Sequence, residues 1–173
     1  MLQEDLLNPK KRNAAQPRLR ELTAPIRNPS FGTDTLVRLK GCFTYLYEQP
    51  DIYKKVAVLG FCFGGTYSFS FAAREPRLKL ALPFYGHSDQ SIKELQSITC
   101  LVRAFYGERD EDLMKSLPQL REKMRLAGVD FITKVYPDCG HAFFNDTNAF
   151  AYNQAATTDA WQLVLGYLRR YVG

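Results

Sequence analysis

The sequence predicts an α/β protein built on a mostly parallel sheet, and three observations carry that prediction. Short apolar runs at 54–60, 78–86, 99–107 and 130–137 each close on a glycine or proline, as buried parallel strands do. Stretches of helical period lie between them, so strand and helix alternate as in βαβ units. Cys62, Asp110 and His141 follow the first, third and fourth of these runs. Three chemically active side chains are thereby expected at one edge of the sheet, where ligands of such sheets bind.

In chain order, residues 1–32 hold no sustained period and are expected to form a loop with a helical turn at most. A helix is expected from an N-cap at Thr33–Asp34 to about Glu48, with Leu36, Leu39, Phe43 and Leu46 on one face. The first strand, KKVAVLG (54–60), leads into the helix-like GGTYSFSFAARE, which stops at Pro76. LKLALPFYG (78–86) and TCLVRAFYG (99–107) are the second and third strands. DEDLMKSLPQLREKMRLAG (110–128) reads as a helix closed by Gly128, and DFITKVYP (130–137) as the fourth strand. An amphipathic helix over 152–172, carrying Trp161, Leu165 and Leu168, closes the chain.

Composition narrows the function classes. A chain of 173 residues, 46% hydrophobic and 24% charged, is one domain's worth and can bury a real core. No apolar run is long enough to span a bilayer, and the N-terminus lacks the layout of a signal peptide, so a cytoplasmic protein without a membrane contact is expected. The four cysteines show no CxxC pair and read as reduced thiols. Most of the net charge of +5 lies in residues 1–40, with eight Lys or Arg against four Asp or Glu. Prolines interrupt that basic stretch and no aromatic residue precedes Phe31, so no nucleic-acid partner is expected.

The pentapeptide Gly60-Phe61-Cys62-Phe63-Gly64 has the form G-x-S-x-G with cysteine in place of serine. In a strand–turn–helix setting this form holds a nucleophile on a sharp turn, and flanking glycines let backbone pass without a Cβ clash. A helix N-terminus behind Cys62 favours the thiolate, and the Phe63 amide is placed to meet a developing oxyanion. The opposing reading of Cys62 is a small packed side chain. His141, in a polar loop, is positioned as a general base, with His87 as its rival. Asp110 is placed to orient the imidazole, against competition from Glu108, Glu111 and Asp112. The pair Cys139 and His141 supplies two metal ligands without a second pair, so no metal site is expected. Neither a P-loop nor a GxGxxG motif is present.

Three stretches, VAVLGFCFGGTYSFSFAA, FYGERD and YPDCGHAFFNDTNAFAYNQAATTDAW, resemble the dienelactone hydrolase family over about residues 35–172. The resemblance implies an α/β-hydrolase-like three-layer sandwich as one domain over 1–173, with Cys62 as nucleophile, His141 as base and Asp110 as orienting acid. It also implies a small ester or lactone as substrate, an acyl-enzyme intermediate and no cofactor. By the same resemblance Phe63 and Gly64 belong to the oxyanion site and Phe144 to the substrate site. Family members carry further strands ahead of the nucleophile strand. The chain is therefore expected to be N-terminally truncated, without the loop that gives the second oxyanion amide. An arginine that follows the histidine in lactone-binding members is replaced here by Phe144 and Asn145, and Arg20 or Arg18 is the expected substitute contact. Truncation leaves the strand at 54–60 as an apolar sheet edge, which invites a homo-oligomer. The alternative reading is an inactive fragment or pseudoenzyme that binds a small acid or a protein partner. A second rival has Cys62 and Cys139 as a redox disulfide.

Overall fold

The computed structural model describes residues 9–173. These divide into two compact units, one ending at Leu39 and the other running Lys40–Gly173.

In the first unit the expected loop is a correction. Helix α1 spans Pro9–Leu22, and a 3-10 turn follows at Ala24–Arg27; residues 1–8 of the expected loop lie outside the described residues. Pro9 takes the first helical position, where its missing N–H costs nothing. The segment then runs through Ala14, Ala15, Arg18, Leu19, Arg20, Glu21 and Leu22, all good helix formers, and Arg18 pairs with Glu21 at 2.7 Å. Helix formation here rests on propensity rather than an apolar stripe, so periodicity had nothing to detect. Helix α2 covers Phe31–Glu48, so its residues from Lys40 on belong to the second unit; it begins ahead of the expected Thr33–Asp34 cap, and the Ser30 hydroxyl donates to the Asp34 carboxylate at 2.9 Å.

In the second unit the four expected strands form, each a little shorter than read: β1 Ala57–Phe61, β2 Leu80–Phe84, β3 Leu101–Gly107 and β4 Phe131–Tyr136. All pair in parallel, in the order β1-β2-β3-β4. The helices between them are α3 Phe63–Ala72, α4 Ile92–Leu95 and α5 Glu111–Leu126, and α6 Gln154–Tyr171 closes the chain. The short α4 escaped the periodicity argument, although its capping box, Ser91 with Glu94, was present as S-x-x-E.

All five residues of β2 are buried, and successive strand residues face opposite ways, so the sheet is covered on both faces. On one face Leu80, Leu82 and Phe84 pack with Phe105 against Ala156, Ala160 and Val164 of α6. These small residues recur every fourth position and let α6 lie close to the sheet. Trp161, expected among the packing residues, is instead 41% exposed, while Leu168 packs only partly against this core. On α3, Phe69 and Phe71 are buried, and Phe71 meets Phe43 of α2 edge-on at 6.1 Å. Pro83, opposite Gly60, interrupts the β2–β3 ladder: Leu80, Ala81 and Phe84 pair with β3 there, and Pro83 does not. Among the described residues β1 has a neighbour on one side only, and its Leu59 is 37% exposed. No helix among them is long and apolar enough to cross a membrane.

Candidate active site

The turn from β1 into α3 puts Cys62 at φ 51°, ψ −115°, a conformation that side-chain-bearing residues rarely adopt. Three further residues at this end of the sheet share the feature: Tyr85 after β2 (φ 35°), Asp138 after β4 (φ 60°) and Ala142 beside His141 (φ 62°). Tertiary contacts hold the strain in place. The Cys62 amide donates to the Phe84 carbonyl at 3.1 Å, and the Tyr85 amide donates to the Phe105 carbonyl at 2.8 Å.

The glycines around Cys62 divide into two kinds. A Cβ on Gly60 would stand 2.1 Å from the Gly64 carbonyl oxygen, and one on Gly65 would stand 2.3 Å from that of Phe84. Gly64 itself would meet nothing within 4 Å. The close approaches that build the turn therefore fall on Gly60 and Gly65, not on both ends of the G-x-C-x-G motif. Gly60→Ala is expected to lose about 1–3 kcal/mol of stability through overpacking against backbone. Gly64→Ala is expected to be nearly neutral. Thermal melts of the two variants check this, and an equal fall in Tm would contradict it.

Asp110 occupies the N-cap position of α5, yet its side chain makes no capping bond. An aspartate there ordinarily caps the first turn, which contributes about 1 kcal/mol. Its Oδ2 instead accepts from His141 Nδ1 at 2.6 Å, and the carboxylate is only 10% exposed. The competing acids are engaged elsewhere: Glu108 accepts from the Asp138 amide at 3.3 Å, and Glu111 pairs with Lys115 at 3.2 Å. Asp112, in the first turn of α5, is exposed. The loop carrying His141 is tied to the loop carrying Asp110 through Arg109 N–H donating to the Cys139 carbonyl at 2.7 Å.

Tyr85, just past β2, packs against the His141 imidazole. Its ring lies 5.0 Å from that of His141. Burial raises its hydroxyl pKa well above the ordinary tyrosine range, and the Cys62 charge pushes the same way. Burial also raises the Cys62 thiol, and the Asp110 carboxylate adds to the rise. That direction runs against the thiolate expected from the helix N-terminus alone. Alkylation of Cys62 by iodoacetamide is accordingly expected to keep climbing with pH beyond the ordinary thiol range, because the reactive thiolate forms only above it. Peptide mapping across a pH series reads this, and a plateau already reached at pH 7 would contradict it.

His87, the rival base, faces other partners. Its Nδ1 lies 3.1 Å from Thr66 Oγ1, and its Nε2 lies 3.4 Å from Asp89. All four cysteines are free thiols, and Cys139 is buried in the core. Arg18 and Arg20 lie exposed on α1, in the first unit, whereas every other candidate site residue belongs to the second.

A cavity of about 420 Å³ opens beside Cys62. Phe61 and Tyr85 line it from the sheet, and Phe144, Asn145 and Asp146 from the loop after His141. Tyr152 and Thr157 close its far side. Of four aromatic residues near the motifs, Phe61 and Phe144 line the cavity, Phe143 is fully buried in the core, and Phe63 is half-exposed against Tyr67 at 4.7 Å. Sequence reasoning missed Tyr85, Asp146, Tyr152 and Thr157. The position of Tyr85 just past a strand end was the one available signal, and no local pattern marked the others.

The sequence profile described as "Dienelactone hydrolase family" matches residues 4–172. A Saccharolobus solfataricus protein named "Putative carboxymethylenebutenolidase" is 35% identical over 126 residues, covering 73% of this chain and 48% of the relative. "Protein usf" of Aquifex pyrophilus is 33% identical over 128 residues, covering 73% and 54%. The chain thus spans about half the length of the curated relatives it matches. Among solved structures, one titled as a "Putative Dienelactone Hydrolase" from Klebsiella pneumoniae superposes with a TM-score of 0.73 at 25% identity, covering 81% of this chain and 62% of that one. With an α/β-hydrolase-like parallel sheet and a family match across nearly its whole length, the chain belongs to the dienelactone hydrolase family.

Proposed function

We propose that the protein hydrolyses a small ester or lactone through Cys62, with His141 as base and Asp110 as the acid that orients it. The observation that carries this reading is the Asp110 side chain. It leaves the α5 N-terminus uncapped and spends its carboxylate on His141 at 2.6 Å. With Nδ1–H committed to Asp110, the imidazole keeps Nε2 for proton transfer in the tautomer that base catalysis needs.

In the proposed reaction His141 takes the proton of the Cys62 thiol as sulfur attacks the carbonyl carbon. The oxyanion that forms is met by the Phe63 N–H at the start of α3, beside Gly64. The C–O bond then breaks, the alcohol leaves with the proton from His141, and a thioester remains on Cys62. His141 next deprotonates water, which attacks the thioester and releases the carboxylic acid and the free thiol. A strained Cys62 backbone supports the same reading, since such strain collects where a nucleophile is held up for attack. No step calls on a cofactor.

Burst kinetics with p-nitrophenyl acetate test the proposal. One equivalent of p-nitrophenol per chain is expected before the steady state, and prior alkylation of Cys62 should abolish it. Release that is linear from the outset and indifferent to alkylation would overturn it.

A further inference from the structure

A second cavity, about 330 Å³, lies beyond the first, lined by Phe144, Thr157, Thr158, Trp161 and Gln162. Phe144 and Thr157 line both cavities, so the two meet across the Phe144 ring. The rings form a continuous path: Phe61, next to Cys62, lies 5.2 Å from Phe144, and Phe144 lies 6.1 Å from Trp161. Trp161 is the one tryptophan of the sequence, and it is left 41% exposed on α6, whose buried residues are Ala156, Ala160 and Val164. An exposed indole at the end of an aromatic path from the nucleophile is apolar surface that a bound group would shield.

Charge points the same way. Neither cavity is lined by a lysine or arginine, and the first carries the carboxylate of Asp146. Arg109, next in sequence to Asp110, has its guanidinium turned onto Asp138. The overall charge of +5 acts at longer range and is screened within about 10 Å at 0.1 M salt, so the local carboxylate decides the potential at the cavity. A substrate carboxylate would find repulsion from Asp146, with no lining cation to offset it.

We propose that the site takes an uncharged ester whose apolar arm crosses Phe144 to rest against Trp161, and that it disfavours substrates carrying a carboxylate. The inference rests on the Cys62 reading above, but its test does not need turnover. Trp161 reports occupancy of the second cavity by its own emission, which shifts to shorter wavelength when the indole is shielded from water. Methyl 4-phenylbutanoate, 4-phenylbutanoate and methyl acetate are titrated into the Cys62→Ala chain, with Cys62→Ser as a second variant. The neutral phenyl ester should give a saturable shift. The acid should bind about tenfold more weakly, and methyl acetate should give no shift at the same concentrations. No saturable response to the phenyl ester, equal binding of the acid, or an equal shift with methyl acetate would each overturn the inference. Loss of Cys62-dependent hydrolysis in the unsubstituted chain would sink the catalytic reading alone, since binding is read in protein that carries no nucleophile.

Discussion

Replacing Cys62 with alanine is expected to lower hydrolysis of a small aryl ester about 10⁴-fold or more while the fold stays intact. The loss is that large because the thiol is the atom that bonds to the substrate in the proposed reaction, and no other group in the cavity can take its place. Of the other lining groups, the Thr157 hydroxyl is spent on the Phe143 carbonyl, and the burial-raised Tyr85 hydroxyl stays protonated across the working range. Stability should change little. Cys62 is only partly buried, and the turn is set by backbone contacts of Gly60 and Gly65 rather than by the thiol. A melt beside the rate measurement separates the two effects. Unchanged turnover in a folded variant would remove Cys62 from the mechanism.

The second large effect is expected at His141. His141→Gln should cost nearly as much as Cys62→Ala, because the raised thiol pKa leaves Cys62 dependent on a base to take its proton. Glutamine retains a donor toward Asp110 and removes only the proton-accepting nitrogen. The companion variant His87→Gln should lie within about 0.5 kcal/mol of the parent, about a factor of two in rate, as for a surface change. His87 bonds to Thr66 and Asp89, and its side chain is 54% exposed. Steady-state kinetics of the two variants decide between the histidines. The reverse ranking would make His87 the base.

The strands were legible because each is a short apolar run punctuated by glycine or proline, and the parallel sheet followed from their alternation with helices. That Cys62, Asp110 and His141 follow the carboxyl ends of three strands of one parallel sheet was legible from the order of the runs, whatever the details between them. Three features were not legible, each for its own reason. Helix α1 lacks an apolar stripe, so only summed propensity argued for it, against two prolines. The inward face of α6 is made of Ala156, Ala160 and Val164, and the larger Trp161 drew the eye to the wrong side of the helix. Asp146, Tyr152 and Thr157 meet at the cavity through the path of the loop after His141. That path depends on bonds such as Asn153 N–H to the Phe143 carbonyl at 2.9 Å, which no spacing rule foretells. The glycines show a finer case: the motif marked Gly60 and Gly64, whereas packing requires Gly60 and Gly65.

The most direct measurement is the mass of the Cys62 peptide after the chain is mixed with p-nitrophenyl acetate and quenched in acid. The proposed mechanism predicts one acetyl group on Cys62, formed as p-nitrophenol is released and lost as the substrate runs out. Hydrolysis that proceeds while Cys62 stays unmodified, with the acetyl group found on another residue or on none, would contradict it.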